Sequence, residues 1–516
     1  MKYLQSIFAL VLVSVCLSGC DPTDFGDINK DPNNPSDPNT SFLFTRACQY
    51  IPNFICNSAT YDAWVQEWTG YLSESKNNQF GQLTTSTTYS TSGYYQIALK
   101  NLKYIQDLNA DPEEQNKVYV TALGSANNQI AAAKTLSAFY YMTLSDILGP
   151  IVYSEGLQGQ ENDIWKPKYD TQKDIYNGLF ADLKTAYAQF ETSGDFNAGA
   201  DILFGGDIAK WKKFNASLRM MMAIKLSDVD PATGKAQFAT AYSDGAMTTV
   251  SDGAYYTFDD NTKNTMYTAC NPNYASAGFN WVPNAFIVDT LKAYRDNRIF
   301  SFFDYHGYKG PREGDENDMD LYFGIPFGLT TNTDVTDYAE FCCSFDSRLL
   351  EPTGSLPFVP ASRMLFIQAE AALRGWISAD PKALYEAGIR ASFEEWEAEG
   401  VEDYLANPKV AYNAANGMFQ ICLQRWIASF FSNGVEVWSD WRRNDVPFMP
   451  VGPSVATITH YPYRFGFYGD TDWAYNEENL KVALSDLYGG EDNYSSRVWW
   501  DVKPNREGVY HDWLHE

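Results

Sequence analysis

The 516-residue sequence predicts a mostly α-helical protein, a scaffold of stacked helix pairs decorated by large loops. Three observations carry this prediction. Apolar residues recur at helical spacing through much of the chain. The helical segments come in neighbouring pairs with short connections, the pattern of helical hairpins. Between them run long stretches with no period and many aromatic residues. No strict 34-residue repeat is present, so any tetratricopeptide-like solenoid is a degenerate one.

The elements follow in order. "MKYLQSIFALVLVSVCLSGC" carries one positive charge, Lys2, and then an apolar run from Ile7 to Leu17. That run is too short to span a bilayer and ends in small residues, as a cleaved signal does. "LSGC" looks like a lipobox, which makes residues 1–19 a signal peptide and Cys20 the lipidated mature N-terminus. Residues 20–40, Cys20 followed by "DPTDFGDINKDPNNPSDPNT", are rich in Asp, Asn and Pro and read as a flexible tether. Residues 41–516 read as a single domain, with no flexible linker dividing it.

Within that domain, "NNQIAAAKTLSAFYYMTLSDIL" (127–148) is an amphipathic helix stopped by Gly149-Pro150. Helices follow over 171–190 and 211–229, the latter ended by Asp230-Pro231. Further helices are expected near 93–108, 284–295, 361–377, 381–398 and 417–432. The loop-rich insertions lie near 73–92, 245–283, 303–360 and 443–480.

Composition bounds the function. Hydrophobic residues make up 45% and charged residues 20%, an ordinary globular balance. Aromatic residues reach 16%, with 35 Tyr and 14 Trp, and their flat rings with polar tips suit recognition of sugars or peptides as well as core packing. A net charge of −27 repels a phosphate backbone and argues against nucleic acid as a partner. Besides Cys16 and Cys20, the cysteines are Cys48, Cys56, Cys270, Cys342, Cys343 and Cys422; they form no CxxC pair and no disulfide framework. The four histidines lack zinc-ligand spacing and show no Ser or Cys partner in the sequence. No nucleophile elbow, metalloprotease, P-loop or dinucleotide motif sits in a fitting context, so no catalytic residue is assigned.

Several segments together resemble SusD/RagB-type nutrient-binding outer-membrane lipoproteins. "SAFYYMTLSDILGPIVYSEGL" (137–157) is similar to that family's helix and Tyr-Ser-Glu-Ala-Leu turn, with Gly156 where Ala is usual. "YDTQKDIYNGLFADLKTA" (169–186), "GGDIAKWKKFNASLRMMMAIKLSDVDP" (205–231) and "ASRMLFIQAEAALRGW" (361–376) resemble further family segments. So do "NGVEVWSDWRRND" (433–445) and "YNEENLKVALSDLYGGEDNYSSRVWWD" (475–501). The resemblance implies tetratricopeptide-like helix pairs beneath a loop-rich ligand-binding face. It implies a lipid-anchored, cell-surface position on the outer membrane, where the protein captures an oligomeric nutrient for a TonB-dependent, SusC-like transporter barrel. Asp21, Asp24 and Asp27 are loosely similar to acidic surface-export signals of such lipoproteins.

The ligand is either a glycan, which the Tyr, Trp and Asn residues favour, or an oligopeptide; the other alternative is a surface-anchored glycoside hydrolase, for which no sequence feature selects a carboxylate pair. Sugar rings stack their C–H faces on aromatic rings, while amides satisfy their hydroxyls. The stretch 264–283 supplies both chemistries through Tyr267, Asn271, Asn273, Tyr274, Phe279 and Trp281. Phe279 and Trp281 are either platform or staples pinning the loop to the following helix; Tyr274 is the candidate for exposure. The stretch 71–95 contributes Phe80 and Tyr89. No cofactor is expected. Asp315, Asp318 and Asp320 are the one place where Ca²⁺ is conceivable, although the spacing is not that of an EF-hand and a solvated acidic loop is the simpler reading. Glu370, Arg374, Arg442 and Arg443 recur in the scaffold of the family that the chain resembles and read as structural ion pairs and helix packing.

Overall fold

Polar side chains fix where the helices begin. The computed structural model describes residues 39–54, 61–74, 88–270, 281–306, 313–327, 329, 342–448 and 460–503. Its principal helices are α1 (Thr40–Cys48), α2 (Tyr61–Trp68), α3 (Lys100–Ala110), α4 (Ala126–Leu148), α5 (Gln172–Gln189), α6 (Ile208–Lys225), α7 (Pro231–Asp244), α8 (Ala285–Ala293), α9 (Ala361–Leu373), α10 (Pro381–Glu395), α11 (Gly417–Ala428), α12 (Gly434–Asn444) and α13 (Ala474–Leu484). Asn39, Ser125, Thr171, Asp207 and Asn433 each accept a backbone N–H from the first turn of the helix that follows, a cap worth about 1 kcal/mol.

Asp230-Pro231 is expected only to stop a helix, and here it also starts one. Asp230 accepts from the Thr233 N–H and Pro231 occupies the first turn of α7, where its missing N–H costs nothing. At the end of α4, Gly149 holds φ +87°, and a Cβ there would lie 2.7 Å from the Leu487 side chain. Only glycine satisfies both demands.

The protein is mostly α. Helix α4 packs between α3 and α5, α5 on α6, and α6 on α7; α9 packs on α10 and α11 and touches α6. Eight short strands lie in or at the edge of the four stretches expected to be irregular: β1 (Leu72–Glu74), β2 (Thr88–Tyr89), β3 (Ala254–Thr257), β4 (Trp281–Pro283), β5 (Phe303–Asp304), β6 (Ser344–Phe345), β7 (Ser355–Val359) and β8 (Gly466–Phe467). They form four two-stranded ladders, β1–β4, β3–β7 and β5–β6 antiparallel and β2–β8 parallel. The long insertions are therefore not simple loops; they pair with one another and clamp the helices.

A chain of buried charges joins α4, α6, α9, α11 and α12. Asp146 pairs with Lys225 at 2.6 Å, Lys225 with Glu436 at 2.7 Å, and Glu436 with Arg363 at 3.1 Å. Arg363 reaches Asp440 at 2.7 Å, and Asp440 lies 3.1 Å from Arg425. Glu370 closes the chain, receiving Arg443 on both oxygens at 2.5 and 2.7 Å, Arg425 at 2.8 Å and Arg374 at 2.9 Å. Burial alone would raise the Glu370 carboxyl, yet Arg443 and Arg425 hold it well below the usual carboxylate range. Arg442 lies over the rings of Trp438 and Trp500, 3.6 and 4.6 Å from their centroids. The ion pairs expected for Glu370, Arg374 and Arg443 are thus built into the scaffold, while Arg442 is held by stacking and by donating to the carbonyls of Tyr463 and Asp146.

Candidate ligand-binding site

The antiparallel register of β1 and β4 places Glu74 opposite Trp281. The chain that leaves β1 and the chain that enters β4 therefore share one edge, although about two hundred residues separate them in sequence. These are the two aromatic-bearing stretches singled out from the sequence. Segment 323–327 lies alongside: the Ile325 N–H donates to the Pro283 carbonyl at 2.9 Å, and Ser73 Oγ donates to the Ile325 carbonyl at 2.8 Å. The Cys343 N–H donates to the Phe323 carbonyl at 2.8 Å, which brings the start of β6 to the same edge.

Aromatic packing extends this edge into a wall. Phe327 and Tyr461 pack with ring centroids 5.0 Å apart, and Tyr461 meets Trp441 edge-on at 5.7 Å. Phe465 packs against Trp68 at 4.9 Å, Trp438 at 5.7 Å and Tyr89 at 5.6 Å. Glu74 and Tyr89, which flank residues 75–87, Trp281 after 271–280, Phe327 and Cys343 around 330–341, and Tyr461 after 449–459 all belong to this wall.

Tyr89 and Trp281 need correcting. Each is only 3% exposed. Tyr89 lies in the β2–β8 ladder with its hydroxyl 2.6 Å from that of Tyr94, and Trp281 lies in β4 within the core. Neither presents a ring face to a ligand; Trp281 is the staple rather than the platform. Tyr267 is half-buried on the helical turn Met266–Ala269. Asn264 fixes that turn by donating to the Leu349 carbonyl at 2.8 Å and accepting from the Met266 N–H at 3.0 Å. Phe80, Asn271, Asn273, Tyr274 and Phe279, like Cys20, lie outside the described residues.

Sequence reasoning missed the wall itself. Its signal was present in "YPYRFGF" (461–467), where Tyr461, Tyr463, Phe465 and Phe467 alternate with period two and are all buried. It also missed two carboxyls beneath the wall. Glu67 on α2 and Glu74 on β1 are 1% and 7% exposed. Burial pushes the Glu67 carboxyl well above its usual range, and the charge of Glu74 pushes it further. Tyr461 is raised by its own burial and by Glu67.

His460 also departs from expectation. Its Nε2 lies 3.1 Å from Ser495 Oγ, its Nδ1 faces the Tyr461 carbonyl at 2.7 Å, and its ring stacks on Tyr463 at 4.3 Å.

Asp315, Asp318 and Asp320 turn toward their own loop. Asp315 accepts from the Asn317 N–H, Asp318 accepts from the Asp320 N–H, and Asp320 pairs with Arg295 at 3.2 Å. Among the described residues no group of three or more His, Cys, Asp or Glu side chains converges as a metal site. Cys48, Cys270, Cys342, Cys343 and Cys422 are buried free thiols.

Comparison with known proteins agrees with this architecture. Residues 32–467 match the SusD-like family model described as "Starch-binding associating with outer membrane". A solved chitin-binding protein shares 25% identity at a TM-score of 0.74, covering 90% of this chain and 100% of that one. A SusD homologue from Bacteroides fragilis shows 24% identity and a TM-score of 0.75, covering 90% and 99%. A chitin-binding SusD homologue from Flavobacterium johnsoniae shows 24% identity and a TM-score of 0.70, covering 89% and 99%. No curated protein matches the sequence. The chain belongs to the SusD-like family.

Proposed function

We propose that this protein is a cell-surface glycan-binding lipoprotein, which captures oligosaccharide and delivers it to a SusC-like TonB-dependent barrel in the outer membrane. The observation that carries the reading is the convergence of loop roots: sequence-distant, aromatic-bearing segments spring from one rigid wall in a chain whose family is described as starch-binding. A ligand face needs loops for variable chemistry and a fixed base to hold them in register, and the wall supplies the base. The chitin-binding names of two structural relatives favour a glycan. Tyr274, Phe279, Phe80 and Tyr267 would supply stacking surfaces and Asn271 and Asn273 amides.

Attachment rests on Cys20, acylated after removal of residues 1–19. No helix among the described residues is long and apolar enough to cross a membrane. The protein acts by binding rather than by turnover.

Isothermal titration against a panel of β-glucans, α-glucans, chitooligosaccharides and oligopeptides tests the ligand class. Saturable binding of one glycan series without hydrolysis is expected. Saturation by peptides alone overturns the glycan reading, and turnover of any glycan overturns the binding-only reading. Co-purification of a barrel protein with the native lipoprotein tests the partner, and a Cys20→Ala form that stays in the membrane fraction would refute the anchor.

A further inference from the structure

A second concavity lies on the helical scaffold, walled by α3 and α5 and floored by α4. Its volume is about 150 Å³, and it is closed at one end by the turn containing Tyr153, Gly156 and Leu157. A cavity of that size has room for one six-membered ring. We propose that this pocket binds a single pyranose ring, as a saccharide subsite separate from the loop-bearing wall.

The floor is built by helical spacing. Lys134, Ser137 and Tyr141 stand at i, i+3 and i+7 of α4, so all three face the same groove. Among the described residues, Lys134 Nζ forms no ion pair, and neither Ser137 Oγ nor the Tyr141 hydroxyl makes a hydrogen bond. Across the groove, Asp182 of α5 accepts the Tyr153 hydroxyl on Oδ2 at 3.0 Å, which leaves Oδ1 available. Gln106 of α3 donates to the Leu102 carbonyl at 3.2 Å through Nε2, which leaves its Oε1 available.

The chemistry selects a neutral polyol. Lys134 only donates, Asp182 and the Gln106 carbonyl oxygen only accept, and the two hydroxyls do both. A sugar ring presents hydroxyls that need donors and acceptors at neighbouring positions. Lys134 and Asp182 balance each other's charge, and Lys103, which also lines the groove, is taken by Asp107 at 2.6 Å, so neither an anion nor a cation is favoured. Leu99, Leu157 and Leu179 give the apolar side against which C–H groups pack.

The aromatic part is fixed in place. Tyr141 meets Tyr153 edge-on at 5.0 Å and Tyr95 edge-on at 6.1 Å, and the Tyr95 hydroxyl donates to the Val152 carbonyl. Two backbone irregularities border the pocket. Residues Tyr94–Leu99 form a π-helical stretch at the entry to α3, and Leu157 holds φ +61°, a left-handed conformation disfavoured for a residue with a Cβ.

The test is protein-observed NMR and crystal soaking on the full chain with glucose, galactose, N-acetylglucosamine and methyl glycosides. Saturable shifts confined to α3, α4 and α5, with density in the pocket, are expected. Lys134→Ala is partly exposed and should leave folding intact, and Tyr141→Phe keeps the ring while removing only the hydroxyl. Each should weaken the scaffold shifts by about tenfold or abolish them, while Tyr274→Ala leaves them unchanged. Ser137→Phe, which fills the groove, should remove them altogether. Absence of any monosaccharide shift at α4, or shifts that Tyr274→Ala abolishes and Lys134→Ala and Tyr141→Phe spare, would overturn the proposal.

Discussion

Two buried glutamates show how differently the scaffold and the wall treat charge. Glu370 in α9 is fully buried and receives three arginines, so it stays ionised far below the usual carboxylate range. Glu67 in α2 is equally buried, but the charge that acts on it is the like-signed Glu74, and among the described residues its Oε2 has no hydrogen-bond partner. Burial disfavours both charges; neighbours alone separate them. The network around Glu370 sets each of its carboxylates against arginine or lysine. The wall under the loop roots instead holds a buried carboxyl beside a like charge, which pushes it above its usual range.

The largest way to break this contrast is Glu370→Gln. It leaves Arg443 and Arg425 buried without their shared carboxylate, and loss of one partner of such a pair costs about 3–5 kcal/mol. Urea unfolding should show that loss with ligand binding intact in the fraction that folds. An unchanged midpoint would mean that the network is ornamental.

Next in size is Trp281→Ala, which empties a core site and should cost about 3 kcal/mol of stability. Affinity should change little once the protein is folded. Tyr274→Ala should do the reverse, lowering glycan affinity by about 1 kcal/mol with an unaltered unfolding midpoint. If Trp281→Ala and Tyr274→Ala weaken binding equally without loss of stability, the division between staple and platform fails.

The pH dependence of stability separates the two glutamates by sign. Glu370 has a depressed folded pKa, so its contribution is present above about pH 4.3, the unfolded value, and is lost as pH falls through the folded pKa. Glu67 has a raised folded pKa, so its contribution is present below about pH 4.3 and is lost as pH rises through the folded pKa. Glu395 moves in the same direction as Glu67, raised by burial to about 7 although Ser362 donates to it from both backbone and hydroxyl. Unfolding curves from pH 4 to 9 should therefore flatten partly in Glu67→Gln and partly in Glu395→Gln, each by no more than about 1.4 kcal/mol per pH unit. A wild-type slope that survives in the double variant would refute both assignments.

The helical scaffold was legible because its evidence is local. The expected helices at 127–148 and 361–377 are found at Ala126–Leu148 and Ala361–Leu373, since apolar spacing and end signals lie within the segments themselves. Helix α7 is harder to see, because Asp-Pro marks the stop of one helix and equally the cap of the next with proline in its first turn. The wall was hard to see for a different reason. Its parts meet across large sequence separations, as Glu74 meets Trp281 and Phe327 meets Tyr461, and nothing in either partner's local sequence announces the other. Trp281 could not be sorted into staple or platform from composition, because a Trp among small residues looks the same in both roles. The strand register and its burial decide it.

The smallest expected effect concerns the acidic loop. Asp320 and Arg295 are both more than half exposed, so their pair is screened by solvent and salt. Asp320→Asn should therefore shift stability by less than about 1 kcal/mol, and the shift should vanish in high salt. If Asp315, Asp318 and Asp320 bound Ca²⁺, the same substitution would abolish a calcium-dependent rise in Tm, because removing a carboxylate ligand weakens an oxygen-ligand site. The geometry argues for the first outcome. Asp315 and Asp318 each accept a backbone N–H from within the loop, and Asp320 faces a guanidinium, which competes with a cation for the same oxygens. A thermal scan of wild type and Asp320→Asn with and without calcium distinguishes them: parallel curves support the solvated loop, and a calcium shift present only in wild type overturns it.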